Sequence, residues 1–129
     1  RKCFKTNKIH IGMDEAHSLG FGKHLAIHGY ESKLDIMKRH LARVNEIAAK
    51  YGYENPMIWS DMLFYGWNNG VYVVPKQEVP EEYKTALPKN VIPVFWDYYH
   101  ENNHFYAANI ASHQKIADEF LLEAISNCL

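Results

Sequence analysis

Asp14 and Glu15 are adjacent carboxylates at the end of a short apolar run, Lys8 to Met13, with His10 before them and His17 after. Four roles fit such a grouping: the Asp-Glu-Ala-His of a Walker-B strand, a His/carboxylate metal site, a glycosidase acid pair, and a plain helix cap. Adjacent carboxylates repel when both are ionised, and aromatic walls that exclude water favour keeping one of them protonated. A protonated carboxyl can give its proton to a leaving oxygen. Its ionised neighbour can orient a group or stabilise developing positive charge. Asp14 or Glu15 could also simply cap the helical turn that follows, and spacing alone leaves acid pair and cap evenly matched.

Two of these chemistries lack their other parts. A Walker-B carboxylate holds Mg²⁺ alongside a GxxxxGK[ST] loop that cradles phosphates. The nearest approach, Gly20-Phe21-Gly22-Lys23, lies downstream of the carboxylates and is followed by His24 rather than Ser or Thr. His100-Glu101-Asn102-Asn103-His104 satisfies the H-E-x-x-H zinc pattern, with Glu119 or Glu123 conceivable as a third ligand. That pattern needs both imidazoles on one helix face. Here it follows a strand, and its central Asn pair favours a turn, so a polar loop is the stronger reading and a zinc hydrolase the weaker. His24 and His28, also four apart, carry little weight in a chain with eight histidines. No metal and no cofactor are expected.

The elements that must position the carboxylates follow from periodicity. Lys8 to Met13 reads as a strand, and a Gly-bearing loop with a helical turn at its centre comes next. Ser32 caps a helix over residues 33 to 51, with Leu34, Met37, Leu41, Val44, Ala48 and Tyr51 in one apolar stripe and Gly52 ending it. Pro56 introduces a second strand that buries Met57 to Trp59 and turns polar at Ser60-Asp61. Residues 66 to 90, rich in Gly, Asn and Pro, read as an excursion with a strand and a helical turn. A third strand spans Val91 to Tyr99. A final helix is expected from His113 to Cys128, capped by Ser112, with Ile116, Phe120, Ala124 and Ile125 on its apolar face.

Strands alternating with helices imply βαβ units and a parallel sheet. Asp14-Glu15, Trp59 to Asp61 and Trp96 to Tyr99 all fall at the C-terminal ends of predicted strands, where ligands gather in barrels and open α/β sheets alike. Composition agrees with one globular segment spanning residues 1 to 129, at 47% apolar and 22% charged. A net charge of −1 gives no footprint for nucleic acid or anionic membrane. Aromatics make up 14% of residues, which tilts the chain toward sugars or flat ligands. Two cysteines, Cys3 and Cys128, form no disulfide framework, so reduced thiols and a cytoplasmic location are expected. No apolar run reaches membrane-spanning length. The abrupt start on Arg-Lys-Cys-Phe reads as a piece of something longer.

Taken together, I-H-I-G-M-D-E-A-H-S-L-G resembles the H-x-G-x-D-E signature of family 20 glycoside hydrolases, the β-N-acetylhexosaminidases. H-G-Y…D-I-M-K-R-H-L-A-R-V, P-M-I-W-S-D-M and V-I-P-V-F-W-D-Y-Y extend the resemblance, in particular to compact, single-barrel members, over nearly the whole chain. The resemblance implies a (β/α)₈ barrel, and release of terminal β-linked N-acetylhexosamine from a glycan or glycoside with retained configuration, the sugar's own acetamido oxygen attacking C1. By the motif Glu15 would be the general acid/base. Asp14 would hold the acetamido N–H and His10 would support the pair. Trp59 and Trp96 match the family's aromatic walls. Asp97 and Tyr98 sit where polar contacts to the sugar would arise, with Tyr99 the substitute if the register slips and Asp61 and Trp67 weaker candidates.

Length is the departure. A whole barrel needs roughly 250 residues, so the expected fold is α/β, a partial (β/α)₈ TIM barrel holding roughly the central βα units and lacking the first three strands and the last ones. A partial barrel exposes strand edges, so self-association and poor activity alone are expected. The competing reading is a non-catalytic α/β carbohydrate-binding or scaffold module.

Overall fold

A computed structural model describes residues 5–65 and 79–124; Cys3, Trp67 and Cys128, with residues 66–78 of the expected excursion, lie outside them. Ser32 starts the longest helix, α2 (Lys33–Lys50), where its hydroxyl accepts the Asp35 N–H at 3.0 Å. Gly52, at φ 75°, ends it as anticipated, its N–H reaching the Ala49 carbonyl. The buried stripe is Leu34, Ile36, Met37, Leu41 and Ala48. Tyr51, expected on that stripe, lies past the helix end and is exposed.

Among the described residues, three strands, β1 (Met57–Trp59), β2 (Ile92–Asp97) and β3 (Leu121–Ala124), pair in chain order and all in parallel. The chain is thus a mixed α/β fold around a small three-stranded parallel sheet. The run at residues 8–13, expected as a full strand, joins β1 through one parallel bridge, His10 to Met57. Met57 N donates to the Ile9 carbonyl and Ile11 N to the Met57 carbonyl, both at 2.9 Å. Trp59 N then reaches Gly12 O rather than the Ile11 carbonyl that a regular ladder would use. Gly12 at φ 74° and Met13 at φ 77° turn the backbone there, which ends the strand just before the carboxylates.

Short helices fill the connections: α1 (Lys23–His28) in the glycine-bearing loop, α3 (Asp61–Tyr65) directly after β1, and α4 (Glu81–Lys84) before β2. The expected helix from His113 to Cys128 is not what forms. Helix α5 (Asn103–His113) begins ten residues earlier, with Asn102 Oδ1 accepting the His104 N–H at 2.8 Å, and residues 121–124 are strand β3. Phe120 to Ala124 is too short an apolar run for period to separate helix from strand. Pairing with Val94 to Asp97 decides it for the sheet. Ile125 lies outside the described residues.

The sheet has two unlike faces. Ile58 and Phe95, both fully buried, point to one side, where Phe95 meets the rings of Phe105, Tyr106 and His113 on α5. The main core, with Leu34, Leu41, Leu63, Phe64, Val91 and Ile116 among its members, includes Ile58. Full burial of side chains such as Ile58 and Phe64 contributes about 1.5–3 kcal/mol each. By strand alternation, Met57, Trp59, Ile92, Val94, Trp96, Leu121 and Glu123 share the opposite face. Both tryptophans there are only half-buried.

Candidate active site at the strand ends

Asp14 and Glu15 lie just beyond the turn at Gly12 and Met13, and both side chains are exposed. Glu15 adopts φ 48°, a left-handed conformation that costs a non-glycine residue about 1–2 kcal/mol. The strained Met13 and Glu15 therefore bracket Asp14. One strong contact meets this segment from across the fold: Glu15 N donates to Asp61 Oδ2 at 2.8 Å, spanning 46 positions of sequence. A hydrogen bond to a charged acceptor is worth about 1.5–3 kcal/mol, enough to offset the backbone cost.

Asp61 opens α3 and is only 2% exposed. Burial pushes its carboxyl pKa upward, and the negative charge of Asp14 adds to that. The Glu15 N–H pulls the other way by hydrogen bonding to the anion, and the nearby Trp96 indole favours the anion too. Asp61, expected as a weak sugar contact, is thus buried between the carboxylate loop and Trp96.

His10 packs its ring against Trp59, centroids 4.3 Å apart. Its Nδ1 accepts the Gly12 N–H at 3.1 Å, which places the neutral ring's proton on Nε2. Nε2 is buried and meets no hydrogen-bond partner among the described residues. Burial lowers the His10 pKa, while the charges of Asp14 and Glu123 partly restore it. Trp96 stacks on Tyr98 with centroids 5.7 Å apart. Partial burial raises the Tyr98 pKa, as do the charge of Glu123 and a hydrogen bond to it. Two aromatic pairs result, His10 with Trp59 and Trp96 with Tyr98, the latter beside Glu123, with Asp61 buried near Trp96.

Asp97 stands apart from those pairs. It shares the α5 side of β2 with Phe95, and its buried carboxylate accepts the His100 N–H at 3.0 Å, His100 Nδ1 at 2.8 Å and the Tyr106 hydroxyl at 2.8 Å. Burial alone would raise its pKa, but these hydrogen bonds outweigh it and the net direction is down. Tyr99 is 79% exposed. The His100-to-His104 motif is split by the Asn102 cap: His100 precedes α5 and stacks on Phe105 at 3.8 Å, whereas His104 sits in the first turn. Among the described residues, no group of three or more His, Cys, Asp or Glu side chains could hold a metal ion. No described helix is long and apolar enough to cross a membrane.

Beneath the site lies a buried polar pair that sequence reading did not single out. His113 Nδ1 donates to the Asn109 carbonyl and Nε2 accepts from Ser60 Oγ, each at 2.7 Å. Rings of Phe64, Phe95 and Phe120 surround the imidazole. Burial lowers its pKa to about 4. Glu123 was also missed as a neighbour of Trp96 and Tyr98, because it lies in the segment read as helix and only the pairing of β3 with β2 brings it there. No protein-family model and no curated protein matches the chain.

Proposed function

We propose that the chain is an arc of a (β/α)₈ barrel from a retaining β-N-acetylhexosaminidase, with Glu15 the general acid/base and Asp14 its electrostatic partner. Two sets of observations support the barrel reading. The strands are parallel and in chain order, and one face is packed by helices while the other is aromatic and half-open. The acid pair ends the first extended segment on the same edge as Trp59 and Trp96.

The observation that carries the catalytic reading is the tie of the acid pair to the end of β1 through Asp61, whose buried carboxylate accepts the Glu15 N–H at 2.8 Å and lies near the Trp96 indole. A sugar ring lying on Trp59 and Trp96 would bury apolar C–H faces against them. Substrate assistance accounts for two carboxylates adjacent in sequence, since a nucleophile and an acid must flank the sugar from opposite sides. The acetamido oxygen attacks C1 as Glu15 protonates the departing glycosidic oxygen, giving a cyclic oxazolinium ion. Asp14 accepts the acetamido N–H and stabilises that cation. Glu15, now ionised, takes a proton from the water that reopens the ring at C1, restoring both groups and the starting configuration.

Hydrolysis of an aryl N-acetyl-β-glucosaminide tests the reading. Glu15→Gln lowers turnover by about 10²- to 10⁴-fold, and Asp14→Asn is also impaired. A wild-type rate retained by Glu15→Gln rules out Glu15 as the acid. A non-catalytic sugar-binding module would instead show saturable glycan binding with no turnover in any form.

A further inference from the structure

Ser60 and Asp61 are consecutive residues whose side chains engage opposite sides of the fold. The Ser60 hydroxyl donates into the core to His113 of α5, and Ser60 N is fixed to the Val94 carbonyl of β2 at 3.0 Å. The Asp61 carboxylate engages the Glu15 backbone. Both residues are almost wholly buried, so neither can swing to another partner without opening the strand end. Glu15 holds a left-handed backbone immediately after the exposed Asp14, a conformation that persists only where surrounding groups impose it.

We infer that Asp61 is a positioning residue for proton transfer: it fixes the Glu15 backbone in its left-handed conformation, and so the direction in which the Glu15 carboxyl leaves the strand end, without touching the sugar. The Ser60–His113 bond anchors Asp61 to α5, so a core contact sets the stance of an exposed acid. This rests on the proposed role of Glu15 for its catalytic consequence, but not for its structural content. An aspartate suits the task because a buried anionic acceptor binds a backbone N–H more strongly than a neutral one. Misplacing a proton donor by a fraction of an ångström to an ångström is enough to slow the chemical step.

Two readouts on the full chain test it. In ¹⁵N-resolved NMR the Glu15 amide of the unsubstituted protein is protected from hydrogen exchange, unlike amides of neighbouring exposed loop residues. Asp61→Ala removes that protection while amides of Leu41 and Phe95 keep theirs, and Asp61→Asn, which retains an acceptor oxygen, restores part of it. In hydrolysis assays Asp61→Ala lowers kcat by about 10- to 100-fold with KM little changed. Asp61→Asn recovers most of the loss. A Glu15 amide that exchanges freely in the unsubstituted protein, or stays protected in Asp61→Ala, overturns the inference whatever the activity. An Asp61→Ala defect confined to KM overturns the claim that Asp61 avoids the sugar. Absence of turnover with the amide behaviour intact would instead count against the glycosidase reading alone.

Discussion

The loops that leave β1 and β2 each bury an aspartate at the strand's C-terminal end, Asp61 at 2% exposure and Asp97 at 4%, yet the two carboxylates behave in opposite ways. Asp97 collects donors from His100 and Tyr106, all within nine residues of it, and its pKa falls. Asp61 reaches across the sheet edge to the Glu15 N–H, and its pKa rises because burial outweighs what that donor returns. A carboxylate saturated by local donors stabilises its own loop. One left short of donors and aimed at a strained, exposed segment adds less to stability and more to the geometry of a site. The same contrast divides the sheet, with the Phe95 face closed by α5 and the Trp59–Trp96 face half-open.

The largest stability effect is expected from the closed side. His113 has a folded pKa of about 4, below the ordinary 6.5, so between those values the unfolded chain binds the proton that the native core refuses. Stability is therefore full above about pH 6.5 and declines as pH falls toward 4, by about 3 kcal/mol from this group. Denaturant unfolding followed across that range should show the slope. A His113→Gln variant, less stable at neutral pH, should lack it, and an equal slope in the variant would assign the acid sensitivity elsewhere.

Next comes the aspartate pair itself. Asp97→Ala strips the acceptor from three donors and should cost about 1–3 kcal/mol, read as a lower denaturation midpoint. Because its folded pKa is depressed, the stability due to Asp97 is present above the ordinary carboxyl value and disappears as pH falls through the folded one. Asp61→Ala should cost less stability, since it also removes the burden of a buried charge, while disturbing Glu15 more. If Asp61→Ala proves the more destabilising, the distinction between a structural and a positioning aspartate collapses. Ser32→Ala, remote from both loops, sets the scale for an ordinary local contact at about 1 kcal/mol. An effect at Ser32 as large as that of Asp97 would show the Asp97 network to be unexceptional.

How much of this could be read from the chain depended on whether the deciding contact was local. Helix α2 was legible at both ends because its cap, apolar stripe and terminal glycine are all short-range signals. β1 and β2 were legible as apolar runs that end in polar residues. Helix α5 was not, because its buried face carries Asn109, Ser112 and His113, which break the apolar period from which a helix is read. β3 was missed since its identity rests on pairing with β2 and not on its own four residues. The facing of Asp97 was implicit in alternation: it shares parity with Phe95, whereas Trp96 and Tyr98 share the other. Asp61's tie to Glu15 left no trace at any helical or strand spacing, because the partners lie 46 residues apart.

The central claim is that the Asp14–Glu15 loop serves a reaction in which the sugar's own acetamide is the nucleophile. Its most direct test compares aryl β-glycosides whose acetamido methyl carries none, one, two or three fluorines, each fluorine weakening the carbonyl oxygen as a nucleophile. The account predicts a steep, monotonic fall in kcat/KM along the series, abolished turnover of the parent substrate in Glu15→Gln, and first release of the β-anomer. A flat series, or first release of the α-anomer, would contradict it.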